Sequence, residues 1–335
     1  MKAIVIYAHG GAEQMKLETR FADPVAGEGD VVVRVRATSL NYHDVFTRRG
    51  MPGIRLDFPI IMGLDVAGEI DEVGPGVAGW RRGDRVLVDP INRVEGGLLG
   101  ETTHGGLAER CRVRAHQLLR IPDGVTFEQA AALPVAFGTA HRMMTTIGQV
   151  QAGEHVLVLG ASGGVGACCV LLAKLAGAEV VACASSAAKM ERLRALGADH
   201  VVNYTEQDFV KAVHQLYGKP HRRRFDGGVD LVVNFTGGET WVPSMRALRR
   251  GGRLVTCGAT AGYDPKTDIR FIWTFELNIR GSTGWTREDL QALLALVASG
   301  RMQIPVDRVF PLEQAAEALR LIEDREVIGK VMVTP

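Results

Sequence analysis

One short stretch limits the fold more than any other: an apolar strand that leads into a glycine-rich turn and then into an apolar helix. The strand is His155–Leu159 and the helix is Val165–Ala176. Gly163 lets a pyrophosphate approach the backbone, Gly166 lets the helix pack closely on the strand, and the helix N-terminus offers N–H donors. This pattern predicts a dinucleotide-binding turn, with a tight turn that binds no ligand as the alternative. The residues predicted to bind the cofactor here are Ala161, Ser162, Gly163, Gly164, Val165 and Gly166.

The alternation of strands and helices continues through the second half of the chain. After the turn come a strand at Glu179–Ala184, a helix at Ala187–Leu196 and a strand at His200–Asn203. Val229–Asn234 and Arg253–Cys257 are further apolar strands with a helical segment between them. Apolar strands that alternate with helices indicate an α/β fold with a parallel, doubly wound sheet.

The first part of the chain has a different character, because glycine and proline break it into short β-rich segments. Asp30–Arg36, Val66–Val73 and Ala108–Val113 are examples of such segments. Gly74-Pro75-Gly76 and Gly105-Gly106 supply turn residues around them. Short strands with turns between them predict a small antiparallel barrel or sandwich.

Composition excludes several classes of function. The 335 residues include 39 Lys and Arg against 38 Asp and Glu, and a formal charge of +1 predicts neither nucleic-acid nor membrane partners. The chain starts without the apolar segment of a signal peptide, and no stretch is apolar enough to span a membrane. Five cysteines show no disulfide framework and fit a reducing compartment. We therefore expect a cytoplasmic location and a small-molecule substrate.

The residues after the second parallel strand bear on which cofactor binds. An NAD site usually has Asp or Glu there for the ribose 2′-hydroxyl, but this strand is followed by Ser185, Ser186 and Lys189. Hydroxyl groups and a lysine attract the 2′-phosphate that a carboxylate would repel, so NADPH is favoured. The alternative is that Lys189 is an ordinary surface lysine of the next helix.

Two later strands end in small and polar residues. Because ligands bind at the carboxyl ends of parallel strands in this architecture, these residues are candidates for cofactor contact, although loop geometry also explains the glycines. The candidates are Thr236, Gly237, Gly258, Ala259 and Thr260. Trp273 and Phe275 are candidates for the wall of a substrate pocket, or else for the core or an interface.

Motifs along essentially the whole chain resemble those of the medium-chain dehydrogenase/reductase superfamily. They include Gly63-Leu64-Asp65-Val66-Ala67-Gly68-Glu69-Ile70, Asn41-Tyr42-His43-Asp44, Ala130-Ala131-Ala132-Leu133-Pro134 and Gly329-Lys330-Val331. The resemblance implies a GroES-like β-barrel catalytic domain at residues 1–126, completed by residues 285–335. It also implies a Rossmann NADP-binding domain at residues 127–284. The nearest branches in appearance are the quinone oxidoreductases and the zinc-free proteins often described as alcohol dehydrogenase-like.

The same resemblance predicts that no zinc is bound. Zinc alcohol dehydrogenases have a cysteine where this chain has Asn41, a His-Glu pair in place of Leu64-Asp65, and a thiol or imidazole near Val135. Asparagine, leucine and valine do not form a Cys/His tetrahedral site. The segment Asp89–Gly106 also lacks the four cysteines of the structural-zinc lobe. No metal site is expected.

The N-terminal motif supplies catalytic candidates by resemblance. Asn41 is expected near the nicotinamide, and Tyr42 and His43 are candidate donors of a proton or hydrogen bond. A plain packing role for His43 is an equal alternative. Asp44 is expected to anchor this loop and to touch the cofactor. Thr139 resembles a family threonine near the nicotinamide, with a helix cap or turn as the alternative.

Two more residues are cofactor contacts by resemblance alone. Tyr204 matches a residue that helps to bind the 2′-phosphate in members that use NADPH. Lys330, near the end of the chain, resembles a cofactor contact of some relatives.

These observations favour a zinc-independent, NADPH-dependent oxidoreductase. Without a metal to polarise an alcohol, hydride transfer to a quinone or an α,β-unsaturated carbonyl needs less assistance than alcohol oxidation. The alternatives are an alcohol dehydrogenase-like carbonyl/alcohol oxidoreductase and a non-catalytic NADPH-binding redox sensor. A β-like edge at Phe271–Gly281 predicts a homodimer or, by further association, a tetramer.

Overall fold

The computed structural model describes residues 1 to 335 and divides into two compact units. The first unit contains Met1–Ala136 and Arg287–Pro335, and the second contains Phe137–Thr286. The sequence placed the domain limits after residues 126 and 284. Residues 127–136 belong with the first unit because the helix Phe127–Ala131 lies against two long strands of its sheet.

Strands and α-helices are numbered in chain order. The strands are β1 (Ala3–Ile6), β2 (Lys16–Glu18), β3 (Asp30–Leu40), β4 (Ile60–Ile61), β5 (Asp65–Val73), β6 (Arg85–Val88), β7 (Arg110–Arg114), β8 (Leu118–Arg120), β9 (His155–Val158), β10 (Glu179–Ala184), β11 (His200–Asn203), β12 (Val229–Val233), β13 (Leu248–Thr256), β14 (Asn278–Gly281), β15 (Val306–Pro311) and β16 (Lys330–Thr334). The helices are α1 (Tyr42–Arg49), α2 (Phe127–Ala131), α3 (Thr139–His141), α4 (Gly164–Leu175), α5 (Ala187–Ala195), α6 (Phe209–Tyr217), α7 (Trp241–Ala247), α8 (Ile269–Thr274), α9 (Arg287–Ala298) and α10 (Ala315–Glu323).

The first unit is built mainly on antiparallel strands, as predicted. Its large sheet has the order β15-β16-β3-β5-β6-β8, with β7 also paired to β3, and its small sheet has the order β2-β1-β4. Only β15 and β16 pair in parallel. Because β16 pairs antiparallel with β3, with Val331 opposite Leu40, the end of the chain completes this sheet. Lys330 is thereby brought to the end of β3.

The sequence missed α1, since the motif that begins at Asn41 was interpreted as a loop. Asn41 is the extended N-cap residue, and its backbone N–H donates to the Asp44 carboxylate at 2.8 Å. Gly50, with φ of +80°, ends the helix, and its N–H donates to the carbonyl oxygen of Phe46. An N-cap residue with an acid at the third helical position is a helix-start signal that could have identified α1.

The second unit has a parallel sheet, which confirms the prediction of a doubly wound α/β fold. Its six strands lie in the order β11-β10-β9-β12-β13-β14, and every pair in it is parallel. The centre of this sheet is fully buried, with no exposure at Leu157, Val181, Val232 or Leu254. The strand order reverses between β9 and β12, which is where ligands bind in open parallel sheets.

The expected β-like edge at Phe271–Gly281 is only partly present. Its first residues form the helix α8, which Asp268 caps by accepting a hydrogen bond from the Arg270 N–H at 3.1 Å. Only Asn278–Gly281 is a strand, and this strand is the sheet edge beside β13. The prediction was wrong for the first half because aromatic residues at Phe271 and Phe275 follow helical spacing and stack on each other.

None of the helices is both long enough and apolar enough to cross a lipid bilayer.

Candidate active site

The turn after β9 presents a helix N-terminus without a side-chain cap. Gly163 is the extended N-cap residue of α4, and glycine has no side chain to accept from the first-turn N–H groups. In contrast, the side chains of Ser186 and Asp208 cap α5 and α6. The first turn of α4 therefore keeps backbone donors for a ligand, and the helix dipole favours an anion there.

Three glycines lie near the carboxyl end of the sheet, and they differ in whether a side chain would fit at their position. A Cβ atom on Gly166 would lie 2.3 Å from the Gly160 carbonyl oxygen, so close packing excludes any side chain. A Cβ atom on Gly163 would meet no atom closer than 3.7 Å, and one on Gly258 none closer than 3.8 Å. Neither Gly163 nor Gly258 has a positive φ. The packing of the chain does not require these two glycines, and both positions leave room for a ligand to pass close to the backbone.

The residues predicted to bind the adenosine end lie beyond the carboxyl ends of β10 and β11. Lys189 Nζ is 3.4 Å from Ser185 Oγ, so the structure brings these two side chains together. Ser186 accepts a hydrogen bond from the Lys189 N–H as the N-cap of α5. Tyr204 follows β11 with 48% of its surface exposed. No carboxylate follows directly on β10 in the sequence.

A cavity of about 560 Å³ lies at the carboxyl ends of β13 and β14 and the loop after β12. Of the predicted residues, Gly237, Gly258 and Ala259 line it. Thr236 and Thr260 do not line it; they belong to two neighbouring loops whose backbones exchange hydrogen bonds. The sequence did not predict the rest of its wall, which includes Trp241, Tyr263 and Ser282.

Trp273 and Phe275 do not line this cavity, so the prediction that they form a pocket wall is wrong for it. Trp273 is 67% exposed on α8, because the helix turns this side chain to solvent. Phe275 stacks on Phe271 with the ring centroids 6.0 Å apart and packs against the core of the parallel sheet. The alternative of a core role describes Phe275. An interface role for Trp273 stays a prediction.

Two further side chains bear on the chemistry of the cavity. Ser282 is 8% exposed, and its buried hydroxyl has no hydrogen-bond partner in the protein. A buried hydroxyl without a partner costs free energy. Burial raises the pKa of the Cys257 thiol to about 12, so this cavity residue is not a thiolate nucleophile.

A separate polar cluster lies in the interior of the first unit. Lys330 Nζ donates to Asn41 Oδ1 at 2.6 Å and to the Leu40 carbonyl oxygen at 3.1 Å, and it is 3.4 Å from Asp65 Oδ2. Asn41 Nδ2 donates to the same carboxylate oxygen at 2.8 Å. The side chains of Lys330 and Asp65 are 2% and 0% exposed.

Asp65 is the centre of this cluster. Its Oδ2 atom also accepts from the Ser39 hydroxyl at 2.6 Å, and its Oδ1 atom accepts from the Val135 backbone N–H at 2.9 Å. Burial lowers the pKa of Lys330, and the carboxylates of Asp65 and Asp44 oppose this shift. The cluster is therefore a buried, hydrogen-bonded ion pair rather than an open binding surface.

The cluster bears on two of the predicted roles. Both polar ends of the Asn41 amide are bound to protein groups, and so is the Lys330 ammonium. Lys330 is 2% exposed and Asn41 is 6% exposed. The structure therefore gives both side chains partners within the cluster. The expected contacts of Asn41 and Lys330 with the cofactor stay predictions.

Asp44 is fully buried at the start of α1. One carboxylate oxygen accepts from the Asn41 N–H, and the other, Oδ1, has no hydrogen-bond partner. Burial raises the pKa of Asp44 to about 7. The anchoring role predicted for Asp44 agrees with this contact, but a residue with no exposed surface does not touch a cofactor.

The remaining predicted residues lie in both units. Tyr42 is half-buried and packs edge-on against Phe46, with the ring centroids 5.1 Å apart. His43 Nε2 is hydrogen-bonded to Glu101, a residue that the sequence did not single out. Thr139 begins α3 in the second unit and is half-buried.

Comparison with known proteins decides the family. Residues 27–123 match the family described as alcohol dehydrogenase GroES-like domain, and residues 164–299 match the zinc-binding dehydrogenase family. The chain is 30% identical over 360 residues to the human synaptic vesicle membrane protein VAT-1 homolog. This alignment covers 100% of this chain and 86% of that protein. This chain belongs to the medium-chain dehydrogenase/reductase superfamily.

Other members of the superfamily are similar over the whole chain. Acryloyl-coenzyme A reductase from Sulfurisphaera tokodaii is 30% identical over 354 residues, with 100% of both chains covered. The crystal structure of an NAD-dependent alcohol dehydrogenase superposes with a TM-score of 0.92 and 36% identity over 100% of both chains. A 2-octenoyl-CoA carboxylase reductase in complex with NADP and 2-octenoyl-CoA has a TM-score of 0.86 and 30% identity, covering 99% of this chain and 87% of the other.

The donor groups of this superfamily member do not fit a zinc ion. Among the positions that resemble zinc-ligand positions, Leu64 is apolar and Val135 contributes only its N–H, to Asp65. No group of three or more His, Cys, Asp and Glu side chains is arranged to hold a metal. The carboxylate that remains, Asp65, lies beside the ammonium of Lys330.

The second unit does fit a dinucleotide. NAD(P) cofactors are typical of the medium-chain dehydrogenase/reductase superfamily, and the related structure above contains NADP. The uncapped N-terminus of α4 and the open backbone at Gly163 and Gly258 suit a pyrophosphate and the groups that follow it. The chain is therefore an oxidoreductase of this superfamily with a cofactor site on its parallel sheet.

Proposed function

We propose that this chain is a zinc-independent, NADPH-dependent reductase of α,β-unsaturated carbonyl compounds or quinones. The observation that carries the proposal is the Lys330–Asp65 ion pair, which lies among the residues that resemble a zinc-ligand set. An ammonium bound to a carboxylate does not polarise an alcohol oxygen as a metal ion does. Electron-poor acceptors need less polarisation, because the charge that develops on them is delocalised.

The choice of NADPH is supported by the loop after β10. The Lys189 ammonium lies beside the Ser185 hydroxyl, and together they offer a charge and a hydrogen-bond donor to a 2′-phosphate. Tyr204 is exposed after the neighbouring strand. Glu179, the acid of β10, is at the opposite end of that strand and accepts from His200 and Tyr217.

The choice of substrate class is supported by two relatives. One is named acryloyl-coenzyme A reductase, and a structural neighbour was solved with 2-octenoyl-CoA, so both concern unsaturated thioesters. Such substrates have an apolar acyl part. The aromatic side chains of Trp241 and Tyr263 in the cavity wall suit an apolar group.

The residues of the chain act by binding and orienting. The N–H groups at the start of α4 hold the pyrophosphate, Gly163 leaves room for it beside the backbone, and Gly166 lets α4 pack closely on the turn after β9. The cofactor, when bound, supplies the hydride.

A substrate panel tests the proposal. NADPH oxidation by the purified chain is followed with enones, enoyl thioesters, quinones and aldehydes, together with elemental analysis for zinc. We expect turnover with the enones, enoyl thioesters or quinones, weaker turnover with aldehydes, and zinc well below one atom per chain. Preference for aldehydes or alcohols would instead favour the function named for the 36% identical alcohol dehydrogenase. Tight NADPH binding without turnover on the whole panel would favour a redox sensor.

A further inference from the structure

The side chain of Asn234 is fully buried directly after β12 and does not line the cavity of the second unit. Its backbone N–H donates to the Val255 carbonyl oxygen at 3.0 Å, so the residue is still held by the neighbouring strand β13. Both ends of its amide group make hydrogen bonds to residues that follow it in the chain. A buried amide with every polar atom bound has one well-defined position.

Two hydroxyl groups determine which way the Asn234 amide faces. The Thr240 hydroxyl is 2.7 Å from the Gly237 carbonyl oxygen, to which it donates, and 3.4 Å from Asn234 Oδ1. The Ser244 hydroxyl donates to the Thr240 carbonyl oxygen at 2.8 Å. Since each hydroxyl group has one proton, both oxygens are left to accept from Asn234. Nδ2 therefore faces them, 3.1 Å from Thr240 Oγ1 and 2.9 Å from Ser244 Oγ.

The oxygen of the same amide holds the backbone of the first cavity loop, residues 235–240. Oδ1 of Asn234 accepts from the Thr236 N–H at 2.9 Å and from the Gly237 N–H at 3.0 Å. Gly237 has φ of +69°, and a Cβ atom there would lie 2.4 Å from the Gly262 carbonyl oxygen. Because Gly237 lines the cavity, Asn234 determines the position of part of the cavity wall without touching what enters it.

The second cavity loop, residues 257–263, is joined to the first by backbone hydrogen bonds. The Ala261 N–H donates to the Thr236 carbonyl oxygen at 2.8 Å. The Gly238 N–H donates to the Gly262 carbonyl oxygen at 2.8 Å. The position of the first loop is thus passed on to the second, whose residues in the cavity wall are Cys257, Gly258, Ala259, Gly262 and Tyr263.

We propose that Asn234 is a positioning residue of the cofactor site, which holds both cavity loops in the shape that receives NADPH. The role rests on the proposed NADPH-dependent function, since Gly237 and Gly258 are predicted contacts of that cofactor. The chemistry of the site requires an amide, which donates on one side and accepts on the other. A carboxylate would face two hydroxyl oxygens whose protons are already donated elsewhere, and it would bury a charge.

The hold of Asn234 on the first cavity loop is tested without a ligand, by NMR of amide hydrogen exchange. In Asn234→Ala the Thr236 and Gly237 N–H groups lose their acceptor, so their exchange should become about tenfold faster or more. Ser244→Ala is the matched control, because it deletes a buried hydrogen bond on the Nδ2 side and leaves Oδ1 in place. Exchange at these two amides should be unchanged in it. Equal exchange in Asn234→Ala and the wild-type chain would overturn the role of Asn234.

A milder variant serves if Asn234→Ala does not fold. Asn234→Ser keeps an oxygen that can accept from the N–H two residues further on, as serine does in turns. We expect slow exchange at Thr236 and faster exchange at Gly237. Slow exchange at both amides in Asn234→Ser would contradict the role of the longer amide side chain.

The effect on the cofactor is measured as the Kd of NADPH, by fluorescence titration, beside urea unfolding of the same variants. Both Asn234→Ala and Ser244→Ala should lose stability, since each deletes buried hydrogen bonds. The Kd should rise about tenfold in Asn234→Ala and stay within about twofold of wild type in Ser244→Ala. A purely structural role would lower the stability of both variants and leave both Kd values unchanged, which would overturn the positioning role alone.

The wild-type chain separates this inference from the function on which it rests. If the wild-type chain does not bind NADPH, the proposed function and the cofactor part of the role of Asn234 fail together. The exchange rates at Thr236 and Gly237 then still decide whether Asn234 holds the cavity loops.

Discussion

The ammonium of Lys330 and the side-chain oxygen of Asn41 lie 2.6 Å apart in the interior of the first unit. The two residues are 289 positions apart, and the contact ties the last strand of the chain to the start of α1. The same ammonium stands beside Asp65. One buried cation therefore holds together three elements of the chain and balances a carboxylate that has no exposure.

Removing this cation should leave a buried charge uncompensated. Breaking one side of a buried ion pair typically costs about 3–5 kcal/mol, so Lys330→Met should lower the free energy of unfolding by roughly this amount. Lys330→Met/Asp65→Asn should recover part of the loss, because it removes the charge that was left alone. Urea unfolding at pH 7 measures both. Lys2→Met is the matched control: it breaks an exposed pair with Glu313 and should leave the free energy of unfolding nearly unchanged. If the double variant is as unstable as Lys330→Met alone, the uncompensated charge of Asp65 is not the cause of the lost stability.

Gly163 and Gly166 make a contrasting pair of tests in one turn. Gly166→Ala forces a Cβ atom against the Gly160 carbonyl oxygen, so we expect a loss of about 1–3 kcal/mol in unfolding free energy. Gly163→Ala meets no close protein atom, so it should destabilise the cofactor-free chain less than Gly166→Ala does, through the poorer N-cap alone. It should nevertheless weaken NADPH binding, because the methyl group occupies space that the pyrophosphate needs. Calorimetric titration with NADPH and urea unfolding separate the two effects. Unaltered NADPH affinity in Gly163→Ala would remove this turn from the binding site.

The sequence predicts an element of this fold well when neighbouring residues determine it, and poorly when contacts with distant parts of the chain determine it. The strands Glu179–Ala184 and His200–Asn203 have the predicted limits, because apolar runs between glycine-rich turns are local signals. The helix α8 was mistaken for a strand, since a short apolar run with aromatic residues fits both patterns. This error also affected the prediction that Trp273 forms a pocket wall, because the side chain is exposed on α8 and lies outside the cavity.

The candidate site was predictable where one motif forms it and not where distant segments meet. The glycine-rich turn and the Ser185–Lys189 pair each lie within one short segment. The hydrogen bond between His43 and Glu101 joins residues 58 positions apart, with no sequence signal that links them. Asp65 was noticed only for its resemblance to a metal-ligand position, since its burial beside a lysine depends on how β3, β5 and β16 pair.

The free edge of the parallel sheet is the basis for our proposal of a homodimer. The edge strand β14 pairs only with β13, and Ile279 on it is 37% exposed. An unpaired edge with an exposed apolar residue favours association with a second copy, and Ile279→Lys opposes it. Light scattering after gel filtration should give twice the mass of one chain for the wild type and a lower mass for Ile279→Lys. Val309→Lys, on the edge strand β15 of the other sheet, is the control and should keep the wild-type mass. A wild-type chain that is monomeric would contradict the proposal.

Lys189 should decide between NADPH and NADH. Its ammonium lies 3.4 Å from Ser185 Oγ, and Lys189→Glu replaces an attraction for the 2′-phosphate with a repulsion. We expect the Kd of NADPH to rise about tenfold or more, equivalent to about 1.4 kcal/mol, while the Kd of NADH changes little. Arg192→Glu is the matched control, since it makes the same charge change at an exposed position of the same helix. Fluorescence titration with both cofactors measures the ratio of the two Kd values. If that ratio is the same in Lys189→Glu as in Arg192→Glu, long-range charge and not contact with the phosphate governs the preference, and the assignment of Ser185 and Lys189 fails.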